Sequence, residues 1–204
     1  MSVIPINLAT EDELSEAVLR RLLGFAERGY EIGIVYRRGG FGYLRRTVRG
    51  WNRAAPGIPF MVLTDLDHHP CPRALIDDWL TEPQHPNFLF RVAVREVEAW
   101  LLADAASLSR HLVVRENLVP TDPESLTDPK RSLIDLARKS RSAVVRDRII
   151  PKRGSSAKQG PDYNGCLVQF VSTSWDVNSA AARSPSLARA MNRLIGFGLT
   201  WPQK

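Results

Sequence analysis

The stretch FMVLTDLDHH, Phe60 to His69, constrains the fold more than any other part of the chain. Phe60 to Thr64 show no polar alternation, the pattern of a strand buried on both faces, and such strands belong to parallel sheets covered by helices on each side. The sequence around it agrees. Val3 to Leu8 reads as a short strand. TEDELSEAVLRRLLGFAERG follows as a helix, with Thr10 as N-cap, Glu13 closing a capping box, and Leu14, Val18, Leu22 and Phe25 at helical spacing. EIGIVYR is a second strand, RRGGFGYLRRTVRGWNRAA a Gly-rich basic turn leading into a helix, and PRALIDDWL a helix. NFLFRVAV is a strand and REVEAWLLADAASLSRHL a helix. This alternation predicts an α/β fold with an open, mainly parallel sheet and right-handed crossovers.

The pattern changes after residue 112. VPTDPESLTDP interrupts it, Pro129 opens a helix to about Ser140, and Ala143 to Ile150 continues as helix or strand. PKRGSSAKQGPDYNG is a polar loop, and CLVQFV and SPSLARAMNRLIGF read as helical. The expected division is a core over residues 1–112 and a basic helical extension over 113–204, packed on it. No run approaches the roughly 18 apolar residues of a membrane span. The start, MSVIPINLATEDEL, lacks the basic and apolar regions of a signal peptide. Cys71 and Cys166 lie far apart, so the expectation is a cytoplasmic chain with no disulfide and no membrane partner.

The net charge of +6 is unevenly spread. Arg37 to Arg53 holds six arginines and no acid, and Lys130 to Lys158 carries a local +8, leaving about −8 for the rest. Two basic stretches on an acidic body suit a polyanion whose phosphates meet the basic surface. A solvated face explains either stretch alone equally well.

Three acidic positions stand out. In an extended strand, residues two apart share a face, so Asp65 and Asp67 can converge while Leu66 enters the core. They fall at the carboxyl end of a strand, where open parallel sheets bind ligands. Unpaired, the two carboxylates would repel; Mg²⁺ relieves that and takes one or two carboxylates alongside substrate phosphate. Glu11, in the acidic first turn after strand one, would emerge on the same edge. Glu98 falls on or beside an apolar helix face, where a carboxylate needs a partner: an arginine, or the metal site. Glu96 is expected to face solvent. His68, His69 and Cys71 fit no zinc spacing.

A glutamate after strand one and a DxD after a later strand resemble the Toprim (topoisomerase–primase) fold of topoisomerases, bacterial primases and overcoming-lysogenization-defect nucleases. EDELSEAVLRRLL, VLTDLDHHPCP, RVAVREVEAWLLAD, DPKRSL and GPDYN resemble more closely an uncharacterised bacterial family with a Toprim-like core. Its genes often neighbour ATPase genes and are suspected to serve in phage defence. The resemblance implies that Glu11 is a general acid or base, that Asp65 and Asp67 bind Mg²⁺ (or Mn²⁺) with Glu11, and that Glu98 belongs to the catalytic set through its E-x-W-L-like helix. Toprim proteins usually have Gly after the first glutamate; here it is Asp12, which adopts a positive φ less freely. The implied activity is metal-assisted phosphodiester cleavage. Nucleic acid would be the substrate, held by Lys130, Lys152, Arg153 and Lys158 through backbone phosphates, with a separate ATPase subunit as partner. Tyr163 and Trp175 are candidates for base stacking or for packing.

Two other readings stay open. One is a nucleic-acid-binding or ATPase-docking subunit with a vestigial site. The other is a haloacid-dehalogenase-type phosphatase, whose strand also ends in DxD. There the motif lies near the N-terminus and is followed by Gly-Thr or a similar pair rather than His-His.

Overall fold

The computed structural model describes residues 3–26, 29–37 and 39–200. Four strands, β1 (Ile4–Ala9), β2 (Tyr30–Tyr36), β3 (Phe60–Asp65) and β4 (Phe88–Ala93), form one all-parallel sheet in the order β2-β1-β3-β4. The apolar run thus occupies an interior strand, with Phe60 to Leu63 buried. Side-chain alternation along it feeds two cores. Met61 and Leu63 join Ile4, Ile6 and Leu8 on one face, while Phe60 and Val62 join Phe88 and Phe90 on the other.

The second face is covered by α2 (Gly40–Ala54) and α3 (Pro72–Trp79), through Leu44, Val48, Trp51, Leu75 and Trp79. The first is covered by α1 (Glu13–Phe25), α4 (Val97–Ala103), α5 (Ala105–Leu112), α6 (Pro129–Arg138), α7 (Ala143–Ile149) and α8 (Tyr163–Thr173). Two further helices, α9 (Val177–Ala181) and α10 (Pro185–Ile195), complete that layer. Residues beyond 112 therefore share one continuous core with β1, α1 and α4. No helix among the described residues is long and apolar enough to cross a membrane.

Several boundaries differ from the sequence expectation. Asp12, not Thr10, caps α1, accepting the Ser15 N–H at 2.8 Å; Thr10 Oγ1 instead donates to the Asp12 carbonyl. A residue nearer the helix wins because its carboxylate meets the free N–H groups of the first turn directly. Phe25 does not join the buried stripe and is 38% exposed; Glu27 and Arg28, at the end of that stretch, lie outside the described residues. REVEAWLLADAASLSRHL is two helices rather than one. Asp104, fully buried, leaves helical geometry at ψ 74 and caps α5 through Ser107 N–H, while its other oxygen accepts Asp176 N–H at 2.8 Å. Ala143–Ile149 resolves as helix. In β2, Gly33 packs against the Asn7 side chain, whose oxygen accepts the Ile34 N–H at 2.8 Å across a register shift; a larger residue would strike that amide.

Candidate active site

Strand order places the crevice. The chain leaves β1 through α1 toward β2 on one side, while β3 lies on the other, so the carboxyl ends of β1 and β3 flank the point where the topology reverses. Glu11 follows β1 by two residues, and Asp65 is the last residue of β3. They meet there: Glu11 Oε1 accepts the Asp65 N–H at 3.2 Å and the Thr64 hydroxyl at 2.5 Å. Asp65 Oδ1 in turn accepts the Val97 N–H at the start of α4, at 2.8 Å.

Asp67 reaches this crevice differently from the expectation. The strand stops at Asp65, Leu66 turns into the core at 2% exposure, and Asp67 sits at φ 49. That left-handed backbone breaks the two-residue alternation, so the shared-face argument does not hold for the pair. The backbone of Asp67 is pinned by its N–H to the Arg95 carbonyl at 3.0 Å and by Arg95 Nη1 to its own carbonyl at 3.0 Å. Its carboxylate is exposed, and its charge still acts on Glu11 and Asp65.

Electrostatics mark the site. Burial, then the charges of Glu98, Glu11, Asp12 and Asp67, push the Asp65 carboxyl well above the usual carboxylate range. Burial also raises Glu11, with Asp67 and Asp12 adding to it and the two hydrogen bonds opposing it. Asp12 is the candidate that sequence reasoning missed, having counted only as one of the acids at the start of the first helix and as the residue in place of glycine. Its φ of −144 is ordinary extended backbone, so no glycine is required, and its negative charge bears on Glu11, Asp65 and Glu98 alike.

Glu98 does not lie open to a ligand. It is 2% exposed, with the Lys130 ammonium 3.4 Å away and the Tyr163 hydroxyl donating at 3.0 Å. Burial raises its pKa despite both partners. The cation required by a carboxylate on an apolar helix is thus a lysine from α6, which also lies 5.7 Å over the Tyr163 ring. Burial disfavours the Lys130 charge, but Glu98 and Glu96 outweigh it and raise its pKa. Tyr163 and Trp175 are buried at 1% and 0%, which removes them as base-stacking platforms and leaves them as core.

Glu96 was expected in solvent and is instead half-buried beside the crevice. Its Oε2 accepts the Lys130 N–H at 2.8 Å, and it lines a cleft of about 440 Å³ with Asp128, Lys130, Arg131, Pro151 and Lys158. Burial is the main cause of a pKa raised to about 7. An acid whose folded pKa exceeds its unfolded value stabilises at low pH, and that contribution is lost as pH rises through the folded value. Between pH 4.5 and about 7, Glu96 therefore makes stability fall with rising pH. In urea titrations across that range, Glu96→Gln should flatten this part of the slope relative to the parent; parallel slopes would refute it.

The basic stretches divide. Arg37 pairs with Glu16 at 3.2 Å, Arg45 with Asp78 at 3.0 Å and Arg53 with Glu82 at 2.9 Å, so much of the first is matched internally. In the second, Lys130 is turned inward onto Glu98, but Lys152, Arg153 and Lys158 are exposed on the loop between α7 and α8, without ion pairs among the described residues. Gly160 anchors that loop through its N–H to the Ile149 carbonyl at 2.8 Å, and a Cβ there would collide with the Arg148 and Ile149 backbone. Gly160→Ala should destabilise by about 2 kcal/mol in chemical denaturation, because backbone rather than a side-chain tip must shift.

His69 Nδ1 lies 3.3 Å from the Leu66 carbonyl, His68 is exposed, and Cys71 caps α3 through its sulfur. Among the described residues no three His, Cys, Asp or Glu side chains are grouped so as to hold a metal ion. The donor set still fits Mg²⁺ or Mn²⁺. It is all carboxylate oxygen, Mg²⁺ needs only one or two such groups, and a divalent cation would offset both the burial and the neighbouring negative charges that raise Glu11 and Asp65. No family model, no curated protein and no solved structure matches this chain.

Proposed function

We propose that the chain is a metal-dependent nuclease of Toprim type, with Glu11, Asp65 and Asp67 holding Mg²⁺ or Mn²⁺ at the switch point of the sheet. One observation carries this reading: the Glu11 carboxylate, two residues past β1, accepts the backbone N–H of Asp65 at the end of β3, and both carboxyls have raised pKa values. Raised carboxylates gathered at the carboxyl edge of a parallel sheet, where such folds generally bind ligands, favour a functional site over a structural one. Bound there, the ion would act as a Lewis acid toward a phosphodiester and make water more acidic.

The chain's own residues divide the remaining work. Glu11, with its Oε1 fixed by Thr64 and the Asp65 N–H, would accept or return a proton through Oε2. Lys130, turned inward onto Glu98 and about a third exposed, would offer a phosphate only the donors that pair leaves open. Lys152, Arg153 and Lys158 would bind further phosphates without reading sequence. Anti-phage defence with a partner ATPase in the cytoplasm follows from the resemblance alone and extends the same proposal.

A second reading is a nucleic-acid-binding or ATPase-docking subunit with an inactive site. It is favoured by the lack of a ready three-ligand group among the described residues and by the closure of Glu98 onto Lys130. Purified protein, alone and with a candidate ATPase, is incubated with single- and double-stranded DNA and RNA plus Mg²⁺ or Mn²⁺. Metal-dependent cleavage lost in Asp65→Asn supports the nuclease. Equal cleavage by the variant overturns it, and binding without cleavage under any condition favours the second reading.

A further inference from the structure

Away from the acidic crevice, the edge of the sheet carries an unmatched positive cluster. Arg91, in the middle of edge strand β4, pairs with β3 through its backbone, but its side chain makes no hydrogen bond or ion pair among the described residues, and its Nε is buried without a partner. Arg189 and Arg193, from α10, bring further positive charge to it, and burial together with these two neighbours lowers the Arg91 pKa to about 10. Nearby carboxylates are engaged elsewhere: Asp77 is 2.8 Å from Arg73, and Glu124 accepts from the Ser186 N–H at 2.8 Å and from its hydroxyl at 2.7 Å. Arg91 and Arg189 line a cavity of about 190 Å³ with Arg73, Ile76 and Ser186. A largely buried guanidinium with two arginines as neighbours is costly, and its unsatisfied buried Nε–H adds to that cost.

We propose that this cavity is an anion site that takes a phosphate group, held by Arg91 and Arg189 with Arg193 supporting the positive field. Several guanidinium groups exceed what one carboxylate neutralises, whereas phosphate offers up to two charges and acceptors suited to their fork geometry. The size agrees. At about 190 Å³ the cavity is several times a water's roughly 30 Å³ share yet below the roughly 300 Å³ of drug-sized pockets. The phosphate would come from a free phosphate compound or from a nucleic-acid backbone, and the inference does not depend on the chemistry of the acidic crevice.

The test compares melting of the intact chain and of Arg91→Met and Arg189→Ala in inorganic phosphate or in chloride at matched ionic strength. The parent should show a saturable phosphate-dependent rise on the order of 5 °C. Each variant should need at least tenfold more phosphate, and without phosphate Arg91→Met should melt no lower than the parent, since its like-charge repulsion is gone. Arg189 is exposed, so its variant tests the idea even if Arg91→Met folds poorly. A single-stranded oligonucleotide separates the sources. If both variants also weaken its binding and flatten its salt dependence, the site takes backbone phosphate; if only the phosphate response is lost, it takes a free compound. An unchanged phosphate response in both variants, or none in the parent, overturns the proposal.

Discussion

Asp65→Asn should melt higher than the parent in metal-free buffer at pH 7.5 while losing metal-dependent cleavage by about a hundredfold or more. Two opposite effects come from one charge. In the folded protein Asp65 is raised by burial, Glu98, Glu11, Asp12 and Asp67, so its ionised form is disfavoured relative to the unfolded chain. An acid shifted upward stabilises below its unfolded pKa, and that stabilisation disappears as pH rises through the folded value. At neutral pH the carboxylate is therefore a burden, and the isosteric amide removes it while keeping the oxygen that accepts the Val97 N–H. A gain of about 1–2 kcal/mol is expected by analogy with other replaced buried charges, or roughly 2–8 °C for a chain of this size. Mg²⁺ should stabilise the parent, by about 2.7 kcal/mol at a hundredfold excess over Kd, and leave the variant nearly unmoved. Calorimetry with and without Mg²⁺ decides: a variant that melts lower than the metal-free parent, or gains equally from Mg²⁺, would contradict a cation site at Asp65.

Glu98→Ala should be the more damaging change to the fold, at about 2–3 kcal/mol. It leaves the Lys130 ammonium and the buried Tyr163 hydroxyl without their shared acceptor. Lys130 keeps about a third of its side chain exposed, which moderates the loss because water still reaches the charge. Lys130→Met should cost less, since Glu98 can answer by binding a proton among its acidic neighbours. The double variant should lose less than the two single variants combined, giving a positive coupling measured by urea denaturation. If Glu98 instead served only as a metal ligand, the coupling would vanish without metal and appear with it.

How far these residues were visible in the chain differs from one to the next. The unbroken run of Phe60 to Leu63 was enough to predict a central parallel strand, because a strand without polar alternation must be covered on both faces. With that strand came Asp65, and with the first strand Glu11, since parallel strands deliver their carboxyl ends to one edge. The exchange of Thr10 for Asp12 as helix cap was not legible: both residues are competent caps, and only the path out of β1 selects between them. Nor was the break at Asp104, where a buried carboxylate bridges to Asp176, seventy-two residues away.

The sequence by itself determined the layered α/β architecture and which acids could reach the sheet edge, because hydrophobic period and strand ends are local properties. Tertiary structure alone decided the partners. It assigned Lys130 to Glu98, set Glu96 in a half-buried cleft, closed Tyr163 and Trp175 into the core, and left Arg91 beside two other arginines. Each of these depends on desolvation and on charges from distant segments, and spacing along the chain carries no information about either.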